Sequence, residues 1–166
     1  MPESTSLSGT FYRIVFAEDL PRLLQGAKAP EGRFHHSGQP ALYVSPTPQA
    51  AGFAIASYLR PDDPPRIIAP LRIDAPRIAD LRDPGTLNAL RLTGDETSIP
   101  WQPQRTLGLP ASTWRASDVV RNSGADGMIY TARSAPDRWH LVLFRWNVAG
   151  AARVRAAGMP LPFSPA

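Results

Sequence analysis

The order of hydrophobic and polar positions changes several times along the chain, and each change marks an element. Thr10 to Phe16 is rich in aromatic and β-branched residues and predicts a strand, with Arg13 set between Tyr12 and Ile14. An arginine inside such a strand either sits at a sheet edge or points into a polar pocket. Asp19 can cap a short helix that carries Leu20, Leu23 and Leu24, with Pro21 near its start and Gly26 at its end. A loop through Pro30 and Gly32 then delivers Arg33, and Ala41 to Ser45 forms a second short strand. Thr47 and Pro48 predict a helix start as cap and first helical position. That helix should run to about Leu59, and its apolar residues leave so little polar face that burial is expected.

Pro61 to Pro65 ends the helix, and Arg66 to Asp74 is strand-like again, with Pro70 implying an edge, a bulge or a break. A short helix can follow Asp83-Pro84 within Leu81 to Leu92, and Gly94 to Pro110 reads as an ordered loop anchored by Trp101. Ser112 or Thr113 can cap a helix through Ser123 with Trp114, Val119 and Val120 facing inward. After the turn Gly124 to Gly127, Met128 to Ala132 and Trp139 to Trp146 read as two strands. Short strands mixed with a few helices imply an α+β domain. The organisation expected is a flexible stretch over 1–9, one domain over 10–146 and a surface-packed extension over 147–166.

Composition narrows the classes. A 166-residue chain with 43% hydrophobic and 19% charged residues can bury a sizeable core as one domain. The absence of cysteine removes disulfide, thiolate and cysteine–zinc chemistry. Met1 to Ser6 shows no basic region followed by an apolar stretch, so no signal peptide is read, and no run is long enough to span a membrane. Net charge is +4, and all eighteen basic residues except Lys28 are arginines. They are dispersed, without the clustered basic and aromatic pattern of a nucleic-acid binder, so direct nucleic-acid binding is not expected. Arginine in place of lysine suits phosphate recognition, although genome base composition gives the same bias.

The densest chemistry lies in Gly32 to Ser45, where a glycine, the pair Arg33-Phe34 and a polar turn lead into a strand with Tyr43. An arginine fork can take phosphate oxygens bidentately, and a tyrosine can face a planar ring. Taken alone, residue chemistry favours the plainer reading of a loop with a solvated arginine. His35 and His36 are adjacent, so on extended backbone they face opposite sides and cannot chelate together, and no metal site is expected.

With Phe11-Tyr12-Arg13 upstream and Gly127-Met128-Ile129-Tyr130-Thr131-Ala132-Arg133 downstream, the chain resembles RES-domain proteins over roughly residues 10 to 146. The likeness rests on the order and spacing of three weak motifs. It implies the toxin of a toxin–antitoxin pair that acts on NAD, by hydrolysis, phosphorolysis or ADP-ribosyl transfer to a protein acceptor. The implied fold is similar to ADP-ribosyltransferases, a two-sheet split core with flanking helices and an NAD cleft. The implied partner is an Xre-like helix-turn-helix antitoxin, and the implied location is the cytoplasm. Arg13 and Arg33 match the two arginines of the RES pattern, Tyr43 matches its tyrosine, and Arg33-Phe34 follows its arginine–aromatic pair. Glu31 stands where a second glycine is usual. The catalytic glutamate of the pattern falls on Ala54, with no acidic residue between Ser45 and Arg60. Either Thr131 or Ala132 occupies the position of the family serine, Ala132 being favoured. The missing glutamate is open to three explanations: a branch that lost catalysis, replacement by another acid such as Glu31, or deliberate detoxification. A non-catalytic protein that uses the cleft to bind its antitoxin or another protein is the alternative.

Overall fold

A computed structural model describes residues 4–165 as a mixed α+β domain built on one seven-stranded sheet with flanking helices. The strands are β1 (Thr5–Phe16), β2 (Leu42–Val44), β3 (Arg66–Asp80), β4 (Gly127–Ala132), β5 (Ala135–Leu143), β6 (Arg153–Ala156) and β7 (Leu161–Phe163). The helices are α1 (Pro48–Ile55), α2 (Pro84–Ala89), α3 (Trp101–Thr106) and α4 (Ser112–Asn122), with short 3₁₀ turns between them. The hydrogen-bonded order is β1-β3-β4-β5-β2, and β6 and β7 also pair with β3. Only the β3–β4 pairing is parallel.

The fifteen-residue β3 makes the core split. Along one edge it pairs with β1 from Arg66 as far as Ile78; along the other, residues 66–74 pair with β7 and β6, and its last three residues pair with β4. Two strand groups therefore meet at one junction. They meet again where Tyr12 and Ser45 exchange backbone hydrogen bonds of 2.7 and 2.9 Å, which joins the two ends of the strand path. One apolar core, with Phe11, Leu71, Ile73, Ile78, Ile129, Leu141 and Leu143, fills the space between the groups. A second, with Phe34, Leu90, Val120, Met128, Tyr130 and Val142, lies on the other face of β4–β5 under α4. Each fully buried aliphatic side chain contributes about 1.5–3 kcal/mol.

Several local expectations hold for the physical reasons given. The Thr47 hydroxyl accepts from the Ala50 amide at 3.0 Å, with Pro48 opening α1. The Asp83 carboxylate caps α2 in the same way. Pro70 lies within β3 in the gap between the β6 and β7 pairings, where its missing amide costs no ladder bond.

Others are corrected. β1 begins at Thr5 rather than Thr10, because its mostly polar first half is held by backbone pairing with β3, with Leu7 alone packed against the core. Residues 1–3 of the expected flexible stretch lie outside the described residues. The segment 147–166 is no mere surface extension, since β6 and β7 join the sheet and Ala151, Ala152 and Val154 are buried. In α1 only Ala50 and Ala51 are buried, and Phe53 is 62% exposed. The helix is apolar without being buried. The 95–110 loop contains α3, and α4 is capped from outside: Gln104 bonds both the amide and the hydroxyl of Ser112 at 2.7 Å. Trp139 falls within β5, which starts at Ala135.

Candidate functional site

A cleft of about 650 Å³ opens between the two strand groups, within the size range of small-molecule and cofactor sites. One wall is β1 with Tyr12, Arg13 and Ile14, and a second is the loop with Glu31, Gly32 and Arg33. Residues 53–58, from the end of α1 into the following turn, make a third. The floor comes from Tyr43 of β2 and Ser45 just after it, Tyr130 and Ala132 of β4, and Arg138 and His140 of β5.

Sheet register sets the floor. Residues two apart on a strand share a face, so Tyr130 and Ala132 look into the cleft, while Thr131, paired with Trp139, does not line it. The hydroxyl offered by Thr131 is therefore turned away. Ala132 stands at that point of the cleft, and Ser134 lines it two residues further on.

The arginine loop is held along its backbone by one helix. The Gly32 carbonyl accepts from Trp114 Nε1 at 2.8 Å, the Arg33 carbonyl from the Thr113 hydroxyl, and the Phe34 carbonyl from Arg121 Nη2 at 2.9 Å. Thr113, expected as a cap, is instead part of this clamp. Gly32 is required by close approach, because a Cβ there would lie 2.4 Å from the His35 ring. Arg33 projects over the Phe34 and Tyr130 rings at 4.9 and 5.0 Å and donates to the Thr97 carbonyl at 2.5 Å. Phe34 itself is fully buried and does not line the cleft. Its ring supports Arg33 and packs edge-on to Tyr130 at 4.6 Å, and burial pushes the Tyr130 phenol up to about 12.

Tyr43 holds the loop from below. Its hydroxyl accepts from the Phe34 amide at 2.9 Å and lies 2.7 Å from His35 Nδ1. His35 Nε2 is 2.9 Å from the Ala29 carbonyl, which can only accept, so the proton is assigned to Nε2. Burial lowers the His35 pKa and keeps the ring neutral, which leaves Nδ1 to accept from Tyr43. Both bonding capacities of the Tyr43 hydroxyl are thus spent on the loop, and burial raises its pKa. His36 bonds Asp118 at 2.8 Å on the far side, so the two histidines do face apart.

Arg13 reaches from β1 across the cleft edge. Its Nη1 donates to the Leu23 and Gln25 carbonyls at 2.5 and 2.7 Å, which ties down the end of the first 3₁₀ turn. Burial lowers its pKa, opposed by Asp19, yet an arginine stays charged. Asp19, expected as a helix cap, instead accepts from Arg22 and Lys28.

Of the residues singled out by sequence, Arg13, Arg33, Tyr43, Ala54 and Ala132 line one cleft, whereas Phe34 and Thr131 do not. Ala54 is exposed on α1. Among the lining residues Glu31 is the sole carboxylate, and it pairs with Arg105 at 3.1 Å. Sequence reasoning missed Ser45, His140 and Arg138. The alternation of Arg138 and His140 along one strand is the signal that could have placed both on the cleft face.

In comparisons with known proteins, the RES domain matches residues 10–165, nearly the whole chain. No curated protein matches. Among solved structures, the chain is similar to one in the crystal structure of the M. tuberculosis MbcT-MbcA toxin-antitoxin complex. The identity is 19% and the TM-score 0.60, and the match covers 98% of this chain and 87% of that one. At that identity the likeness speaks for the fold.

Proposed function

The chain belongs to the RES-domain family, and we propose that it is the toxin half of a toxin–antitoxin pair whose cleft takes NAD. The observation that carries this reading is the cleft itself, where Arg13, Arg33, Arg133 and Arg138 face tyrosine and tryptophan rings around a single carboxylate. Such a wall suits an anionic ligand with planar ends. Arg33 and the unspent donors of Arg13 pair with the pyrophosphate, and the Tyr43 ring offers its face to the nicotinamide. The reaction is cleavage of the bond between nicotinamide and ribose, by hydrolysis, phosphorolysis or ADP-ribosyl transfer to a protein. It passes through an oxocarbenium-like centre, as glycoside hydrolysis does. Glu31 is the carboxylate best placed to take the part of the absent glutamate, at the cost of its bond to Arg105.

The partner proposed is an antitoxin with an Xre-like helix-turn-helix, which closes the cleft mouth in the cytoplasm. Among the described residues no helix is long and apolar enough to cross a membrane. A second reading, a cleft that binds NAD or a protein without turnover, is favoured by Ala54, which puts a methyl group where the family carries a carboxylate. Calorimetry with NAD and a nicotinamide-release assay separate the two. Binding with release supports the toxin reading, binding without release supports the second, and no NAD binding refutes both as NAD proteins.

A further inference from the structure

The cleft floor holds a buried polar pair that the reading above does not use. Ser45 Oγ lies 2.8 Å from His140 Nδ1, and the two residues are 3% exposed each. Val44 pairs with Leu141 across β2 and β5, so Ser45 and His140 are opposite one another one step further along, on the face that lines the cleft. Ser45 cannot drift, because its amide and carbonyl are both bonded to Tyr12. The His140 ring rests at 5.5 Å from the Tyr130 ring, and Tyr130 and His140 are register partners. Among the described residues Nε2 has no hydrogen-bond partner, although it is not sealed off as an orphaned buried atom. A fixed imidazole with one nitrogen held by a serine and the other turned to a ligand cleft is the arrangement of a proton acceptor.

We infer that His140 is the general base of this cleft and Ser45 its positioning residue, with His140 Nε2 accepting the proton of the attacking hydroxyl, whether of water or of an acceptor. The inference rests on the NAD reading. As the acceptor oxygen forms its bond to the anomeric carbon of the nicotinamide ribose, the carbon–nitrogen bond breaks. Its electron pair returns to the pyridinium nitrogen, and nicotinamide leaves neutral. The acceptor proton passes to Nε2 and then to solvent. During the step Nδ1–H donates to Ser45 Oγ, which keeps the Nε2 lone pair aimed into the cleft. The serine hydroxyl accepts this bond both before the step, when the neutral ring carries its proton on Nδ1, and after it, when the ring is charged.

The surroundings set the strength of this base. Burial first, then the charges of Arg33 and Arg138, push His140 down to about 4. Tyr130 from β4 and Ser45, which follows β2, add no charge to the ring's surroundings at neutral pH. The imidazole is then about as basic as an ordinary carboxylate and is unprotonated across the physiological range. It replaces the proton-accepting part of a glutamate and leaves out the negative charge.

The test is nicotinamide release by the full chain, followed from pH 3.5 to 8, with NAD affinity measured separately by calorimetry. His140→Asn and His140→Gln retain a polar group and remove the base. Each should lower kcat by about 10²-fold or more while NAD affinity stays within a few-fold, and should abolish the acid limb of the pH profile near 4. Ser45→Ala should lower kcat by roughly ten-fold through lost orientation, and Ser45→Thr should restore it. Parent-like release and an unmoved acid limb in a folded His140 variant would overturn the assignment. So would a parent that binds NAD and releases nicotinamide no faster than the spontaneous rate, which leaves the NAD reading standing. A parent that does not bind NAD removes the NAD reading and the assignment with it.

Discussion

Replacing Tyr43 by phenylalanine isolates what the hydroxyl does from what the ring does. The ring, and with it any stacking surface in the cleft, survives the change. The hydroxyl accepts from the Phe34 amide and donates to His35 Nδ1, and both partners belong to the loop that carries Arg33. His35 cannot recover by switching tautomer, because Nε2 must keep its proton for the Ala29 carbonyl. The variant therefore leaves one donor and one acceptor without partners beside a residue that is 2% exposed. Each of the two orphaned buried groups costs about 1–3 kcal/mol, so the sum is about 2–6 kcal/mol. For a domain of this size that lowers Tm by about 4–24 °C. Circular dichroism melts of parent and variant at pH 7.5 give the number directly. A Tm within about 2 °C of the parent would refute the double-bonded role of the hydroxyl, since no other group in the loop can take it over.

Arg33→Ala should weaken NAD binding by about 1.5–3 kcal/mol, the value of a charge-assisted contact, and calorimetry with unchanged affinity would remove Arg33 from the site. Stability should fall as pH drops from about 6.5 to about 4, because unfolded His140 takes up a proton at its ordinary pKa while the folded ring resists until about 4. The loss is about 3 kcal/mol by linkage, and urea midpoints that do not move over that interval would contradict the buried neutral ring. Ala54→Glu should leave stability nearly unchanged, since the site is exposed and glutamate is a good helix former. It should raise nicotinamide release by about 10²–10³-fold, and a folded, NAD-binding variant with parent-like release would dissociate that position from the chemistry. Co-expression with an adjacent helix-turn-helix gene should give a complex that survives gel filtration, and separate elution at micromolar concentration counts against the pairing.

How much of this could be read from sequence depends on the distance over which each feature is determined. The cap at Thr47 and the helix start after Asp83-Pro84 are set by their own neighbours within three residues, and both were legible. The burial of α1 was not, because an apolar composition says that a face avoids polar chemistry but not whether core or cleft lies against it. The strand at Thr5 to Gly9 carries a single hydrophobic residue, Leu7, and is fixed mainly by ladder bonds to a partner more than sixty residues away. In the site, Arg13, Arg33 and Tyr43 could be named from residue type and family likeness. The pair Ser45 and His140 could not, since the two are 95 residues apart and meet only through the β2–β5 register. That Ala132 and not Thr131 lines the cleft likewise needed the register with β5, since a step of one residue exchanges the faces of a strand.

The charges around the cleft make opposing demands on an NAD-cleaving protein. Four arginines line it, against one carboxylate that is itself tied to Arg105. On the proposed NAD reading, that excess would favour the ground state, where NAD brings a negatively charged pyrophosphate. It disfavours the transition state, where positive charge grows on the ribose. A like charge about 8 Å away at an effective dielectric of 20 opposes the developing cation by about 2 kcal/mol. A carboxylate on the α1 wall would offset part of that excess, and Ala54 supplies none. The Ser45 and His140 pair answers only half of the deficit, because a neutral imidazole can take a proton without offsetting the arginines. The cleft is thus weighted toward holding an anion over driving the bond cleavage. Under the proposed reading that balance is set at position 54, where a glutamate would add a carboxylate to the α1 wall of the cleft and leave untouched the bonds that hold Arg33 in place.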